Sequence, residues 1–264
     1  MEIDKIEENG KNLKFVLSGA NPAIANTLRR TIMGKVPTLA VEEVDLINNT
    51  SGLFDEMVAH RIGMIPWEFP QKEYKLPDDC DCEGEKCQDC QVEMVLEKQG
   101  EGKVRAKDLK PTDKKVETPN PEIVITELLE GQELELEARA RLGIGKDHAK
   151  FQAANASYKY YPIVKLNGEK VENKEDAARV APDKVKKADG ELEADDSVVK
   201  AMGKTVDISE GDTVEMEQRE DKFIFTVESV SGLEPDYIVE KALDIIKEEL
   251  GKFKEDAEEA IQNA

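Results

Sequence analysis

The chain of 264 residues has no cysteine outside one window of eleven, where Cys80, Cys82, Cys87 and Cys90 fall together. It has only two histidines, His60 and His148, far apart and with no matching Ser or Cys nucleophile in a recognisable setting. A general base needs a placed partner, so both histidines read as structural or interface residues. Basic residues are short: 37 Lys and Arg face 58 Asp and Glu, for a formal charge of −21. Such a surface repels phosphate backbones at long range, which argues against extensive direct contact with DNA. It fits either an acid-rich or salt-adapted cytosolic protein, or an acidic subunit held away from nucleic acid in a large assembly. No run of about 18 apolar residues occurs, so no membrane span is read. The N-terminal MEIDKIEENGKNLKF lacks the apolar stretch of a signal peptide, which places the chain in the cytoplasm. The glycine pair in GIGKDHAKFQ (143–152) fits neither G-x4-G-K-[ST] nor G-x-G-x-x-G, so it gives a nucleotide site little support.

What is present is concentrated. The cysteines read C-x-C-x4-C-x2-C within PDDCDCEGEKCQDCQ, a spacing that can gather four thiolates around one tetrahedral ion. In a reduced cytosol such a group favours zinc, with an iron–sulfur site or a disulfide pair as the alternatives. Asp78, Asp79, Asp81, Glu83, Glu85 and Asp89 crowd the thiols, and Lys86 is the one base inside the run. Those carboxylates are expected to raise the thiol pKa values, and a dication would reverse that by stabilising thiolates. Four protein ligands leave zinc no open position for water, so the expected site is structural.

Secondary structure is legible around this loop. Leu13, Phe15 and Leu17 alternate as in a half-buried strand. Asn21 then caps a helix with Pro22 at its first position, and Ile24, Leu28, Thr31 and Ile32 return at helical spacing until Gly34 and Pro37. Residues 41–47 read as a strand. The stretches 122–129 and 133–145 read as a β pair joined by Glu130-Gly131-Gln132, with Leu134, Leu136 and Ala138 alternating against charged positions. Residues 162–204 are polar, without an aromatic or a cysteine, and are either a weakly cored subdomain or a partly disordered insertion. Phe223, Phe225 and Val227 mark a further strand. Glu234-Pro235-Asp236 then opens a long helix, in which Val239, Leu243, Ile246, Leu250, Phe253, Ala257 and Ala260 form a heptad seam. That seam needs a partner, either on this chain or on another. Arg29 and Arg30 are a basic pair on an acidic chain, read as either a solvated helix face or a docking point.

NTLRRTIMGKVPTLAVEEVDLINNTS (26–51) and LFDEMVAHRIGMIP (53–66) strongly resemble the alpha-like subunit of archaeal and eukaryotic multisubunit RNA polymerases, with the archaeal form, counterpart of the bacterial alpha N-terminal domain, as the specific match. The cysteine loop, GIGKDHAKFQAANASYKYYP and FTVESVSGLEPDYIVEKALDIIKEEL agree in the same order. The resemblance implies an α+β fold: a discontinuous dimerisation domain (1–47 and 205–264) and a mainly-β insert domain (48–161) with the zinc loop. Residues 162–204 would stand where many archaeal relatives carry a ferredoxin-like subdomain with iron–sulfur ligands. With no cysteine there, no such cluster is expected. The resemblance also implies a heterodimer with subunit L through Ile24, Leu28, Val239, Leu243, Ile246, Leu250 and Phe253. Arg29 and Arg30 would face a large catalytic subunit, and subunits N and P would complete the assembly platform. No catalytic residue is expected on this chain. The alternative class is a free-standing zinc-binding or redox protein.

Overall fold

A computed structural model of the chain describes residues 1–82, 87–166, 169–171, 186–188, 191–193 and 214–262. The chain is α+β and mostly strands. It divides into two compact units: Met1–Glu7, Lys14–Asn26 and Ser157–Thr226 form one, and Glu8–Leu13, Thr27–Ala156 and Val227–Ala264 the other.

The first unit is built on a five-stranded sheet. Its strands are β1 (Glu2–Asn9), β2 (Asn12–Ser18), β9 (Ala154–Leu166), β10 (Glu169–Val171) and β13 (Val214–Ser229), in the order β1-β2-β13-β9-β10. The alternation read at Leu13, Phe15 and Leu17 holds, since all three are buried. Phe15 stacks on Phe225 with ring centroids 5.0 Å apart, and Tyr158 meets Phe223 edge-on at 5.5 Å. Offset and edge-on ring pairs of this kind add to plain area burial. Between β10 and β13, β11 (Lys186–Ala188) pairs antiparallel with β12 (Glu191–Glu193). The remainder of the expected 162–204 insertion, and with it any ferredoxin-like character, lies outside the described residues.

Helix α1 (Pro22–Gly34) begins where the capping argument puts it, with the Ile24 N–H donating to Asn21 Oδ1 at 2.9 Å. Its buried stripe is Ala25, Leu28, Thr31 and Ile32. Ile24 departs from the stripe read in the sequence and is 43 % exposed. Ala25 lies three residues before Leu28 and takes the inward position, which turns Ile24 about 100° away from it.

The second unit holds a four-stranded antiparallel sheet, β3 (Thr38–Asn49), β8 (Glu133–Gly143), β4 (Gln91–Gln99) and β6 (Lys110–Pro111), in that order. Leu134, Leu136, Ala138, Ala140 and Leu142 of β8 are buried beside Val92, Met94 and Leu96 of β4. Both strands read at 122–129 and 133–145 exist, but they do not pair with each other. The first, β7 (Val124–Leu128), pairs instead with β5 (Gly102–Arg105) in a separate two-stranded sheet. Both edges of β8 are already taken by β3 and β4, so the turn at Gly131 (φ 78°) hands the chain from one sheet to another. Helix α2 (Asp55–Gly63) buries Val58 and Ile62, and Arg61 Nη1 donates to the Ile125 carbonyl of β7 at 2.7 Å.

Helix α3 (Pro235–Gln262) is amphipathic along its length, but only its first turns are covered. Ile238, Val239 and Ala242 are buried and Leu243 and Ile246 are half-buried, whereas Leu250 and Phe253 are 63 % and 71 % exposed. Among the described residues, no helix is long and apolar enough to cross a membrane.

Candidate metal centre

The four cysteines lie in the segment that leads into β4. A short 3-10 turn at Pro77–Asp79 precedes the first pair, and the Cys80 N–H closes onto the Pro77 carbonyl at 3.3 Å. A second turn carries the other pair: the N–H groups of Cys90 and Gln91 both reach the Cys87 carbonyl, at 3.2 and 3.1 Å. Lys75 joins the two arms. Its N–H donates to the Asp89 carbonyl at 2.8 Å, and its ammonium donates to Asp81 Oδ2 at 2.8 Å.

All four sulfurs lie within 4.8 Å of one another. The separations are 3.5 Å for Cys80–Cys87, 3.7 Å for Cys82–Cys90 and 3.9 Å for Cys87–Cys90. A tetrahedron with metal–sulfur bonds of about 2.3 Å has edges of about 3.8 Å, so the donor set fits a single tetrahedral ion. A disulfide requires about 2.05 Å, and all four thiols are free. A polynuclear iron–sulfur cluster interposes its own iron and sulfide atoms between the thiolates and needs them further apart. Cys90 is buried and the other three are half-buried. The four cysteines can therefore hold a metal ion.

Cys80 and Cys90 resist ionisation without a cation, though not for the reason read from the composition. At Cys80 a backbone hydrogen bond at Cys82 favours the thiolate. The side chain of Cys82, burial, and the Cys87 and Cys90 thiols outweigh it and push Cys80 up to about 12. Burial likewise raises Cys90. The Cys82 and Cys87 thiols add to the rise at both Cys80 and Cys90, and the neighbouring carboxylates are not among the leading causes. A bound dication reverses this balance by accepting the thiolates as ligands.

The other residues singled out in the sequence stand apart from the cysteines. Arg29 is half-buried, with Nη1 3.3 Å from Met33 Sδ, and Arg30 is exposed on α1. Leu28 and Val239 are buried within this chain, whereas Ile24, Leu250 and Phe253 are exposed. His60 is exposed on α2. His148 Nδ1 accepts the Lys150 N–H at 3.1 Å and so caps a 3-10 turn, a structural role. The glycines of GIGK serve close packing. A Cβ on Gly145 would collide with the Met33 carbonyl, and the Lys146 N–H donates to the Gly34 carbonyl at the end of α1. Lys75 was missed in the sequence because it precedes the acidic run and nothing local marks it as the residue that ties the loop.

Residues 44–163 match the RNA polymerase Rpb3/RpoA insert domain family. Over 94 % of its length the chain is 37 % identical to the DNA-directed RNA polymerase subunit Rpo3 of Methanosphaera stadtmanae, covering 95 % of that protein. It is 38 % identical to Rpo3 of Pyrococcus furiosus, over 96 % of this chain and 95 % of that one. For Rpo3 of Archaeoglobus fulgidus the identity is 34 %, over 97 % and 98 %.

Proposed function

This chain belongs to the family of DNA-directed RNA polymerase subunit Rpo3, the archaeal alpha-like subunit, and on that footing we propose that it is a non-catalytic assembly subunit pairing with subunit L. The observation that carries the reading is the outer half of α3. Leu250 and Phe253 continue a heptad seam that begins in the chain's own core, yet both face solvent. Burying a large apolar side chain is worth about 1.5–3 kcal/mol, so a seam left open this way is accounted for by a second chain. The interface runs over Leu243, Ile246, Leu250 and Phe253 of α3, and Ile24 is by itself an exposed apolar position on α1. Leu28 and Val239 contribute by anchoring their helices internally.

In this reading the pair, with subunits N and P, forms the platform on which the large catalytic subunits assemble in the cytoplasm, and Arg29 and Arg30 dock on a large subunit. The cysteines hold one structural zinc. With four thiolate ligands the ion keeps no position for water, and its contribution is to hold together a loop that has little apolar content. The closed ligand set and the full-length family match disfavour a free-standing redox or zinc enzyme. Co-expression with subunit L tests the proposal. An equimolar complex is the expected result, and a well-behaved monomer that ignores L would overturn it.

A further inference from the structure

We propose that Lys75 is the positioning cation of the metal loop: it ties the arm bearing Cys80 and Cys82 to the arm bearing Cys87 and Cys90 and places a positive charge beside the thiolates. The inference rests on the reading that the four cysteines hold zinc.

A dication bound by four thiolates leaves a net double negative charge, and the sequence sets Asp78, Asp79, Asp81 and Asp89 within two residues of its ligands. Repulsion among these groups opposes closing the loop. Lys75 is placed to offset it from both sides, because its N–H holds the residue just before Cys90 and its ammonium holds the residue between Cys80 and Cys82. The hydrogen bond to Asp81 and that carboxylate's charge, with a smaller contribution from Asp89, favour the charged form of the ammonium. The pair with Asp81 is open to solvent, so its strength is modest and salt-sensitive.

Zinc affinity of the full chain, measured by competition with a chromophoric chelator, tests this on wild type, Lys75→Met and Lys75→Arg. Wild type is expected to bind one zinc per chain. At low salt Lys75→Met should bind about fivefold more weakly, while Lys75→Arg stays within about twofold of wild type. Near 1 M salt, where the screening length is about 3 Å, the Lys75→Met deficit should shrink below about twofold. Cobalt-loaded Lys75→Met should keep the absorption of a tetrahedral thiolate site. The role of Lys75 is overturned by an unchanged affinity in Lys75→Met, by Lys75→Arg being as weak as Lys75→Met, by a deficit indifferent to salt, or by loss of the thiolate absorption. Wild type that binds no zinc overturns the metal reading itself, and this inference with it.

Discussion

The ammonium of Lys35 lies 2.5 and 2.6 Å from the two carboxylate oxygens of Glu249, joining positions 214 residues apart. It fastens the segment just after α1 to the middle of α3, at the point where that helix leaves the chain's core. Buried Ile238 and Ala242 lie on one side of this tie and exposed Leu250 and Phe253 on the other. Both partners of the pair are about half exposed, so the bond itself is worth at most about 1 kcal/mol. Its significance is positional, because it holds α3 where the apolar seam opens to solvent.

Leu250→Asp with Phe253→Asp should abolish association with subunit L while changing the stability of the isolated chain by less than about 0.5 kcal/mol, as befits exposed positions. Ile238→Ala, in the core, should instead cost about 2–4 kcal/mol. Co-purification and denaturant unfolding separate the two outcomes. Retained pairing in the double variant would mean that the interface lies on another element.

Removal of the proposed zinc should loosen residues 75–82 and 87–90. Lowering the pH should weaken binding, because the raised thiols of Cys80 and Cys90 must lose protons before they can ligate. Proton release on zinc uptake, followed calorimetrically in buffers of different ionisation heat, measures this. Uptake with no proton release near neutral pH would contradict it.

Asp108 accepts the Lys98 ammonium and the Arg105 N–H, both at 2.7 Å. Burial alone would raise its carboxyl, but these two donors outweigh burial and hold it below the ordinary carboxylate value. Its contribution to stability is therefore complete above the unfolded value of about 3.9 and is lost as pH falls through the lower folded value. Asp108→Asn should cost about 1 kcal/mol near neutral pH and flatten the acid limb of the stability curve. Urea titrations between about pH 7 and pH 2 give both quantities.

Glu97 of β4 stands directly opposite Glu135 of β8, and both are exposed. Like charges at paired positions destabilise a sheet, so Glu97→Lys should raise stability by about 0.2–1 kcal/mol. Thermal melts at low salt would show the gain, and it should fade as salt is added.

Local chemistry made much of this molecule legible in its sequence. Asn21 and Pro22 signal the start of α1, alternation marks the strand through Phe15, and the cysteine spacing marks the loop. Where the structure departs from the local pattern, the deciding contact is distant. Residues 122–129 and 133–145 look like a hairpin when seen alone, but β8 has β3 and β4 on its two edges. Ile24 and Ala25 are both apolar, and only the packing of α1 decides that the smaller one turns inward. The thiol shifts depend on which groups surround each sulfur, which a count of nearby carboxylates does not reveal.

The four-sulfur site, the capped helix, the amphipathic terminal helix and the family are all specified by short-range spacing or by the order of whole blocks. Long-range packing sets which strands share a sheet, how far along α3 the chain's own core reaches, and that Lys75 bonds to both arms of the cysteine loop. Those outcomes depend on long-range neighbours competing for the same edges, faces and charges, and no local pattern encodes that competition.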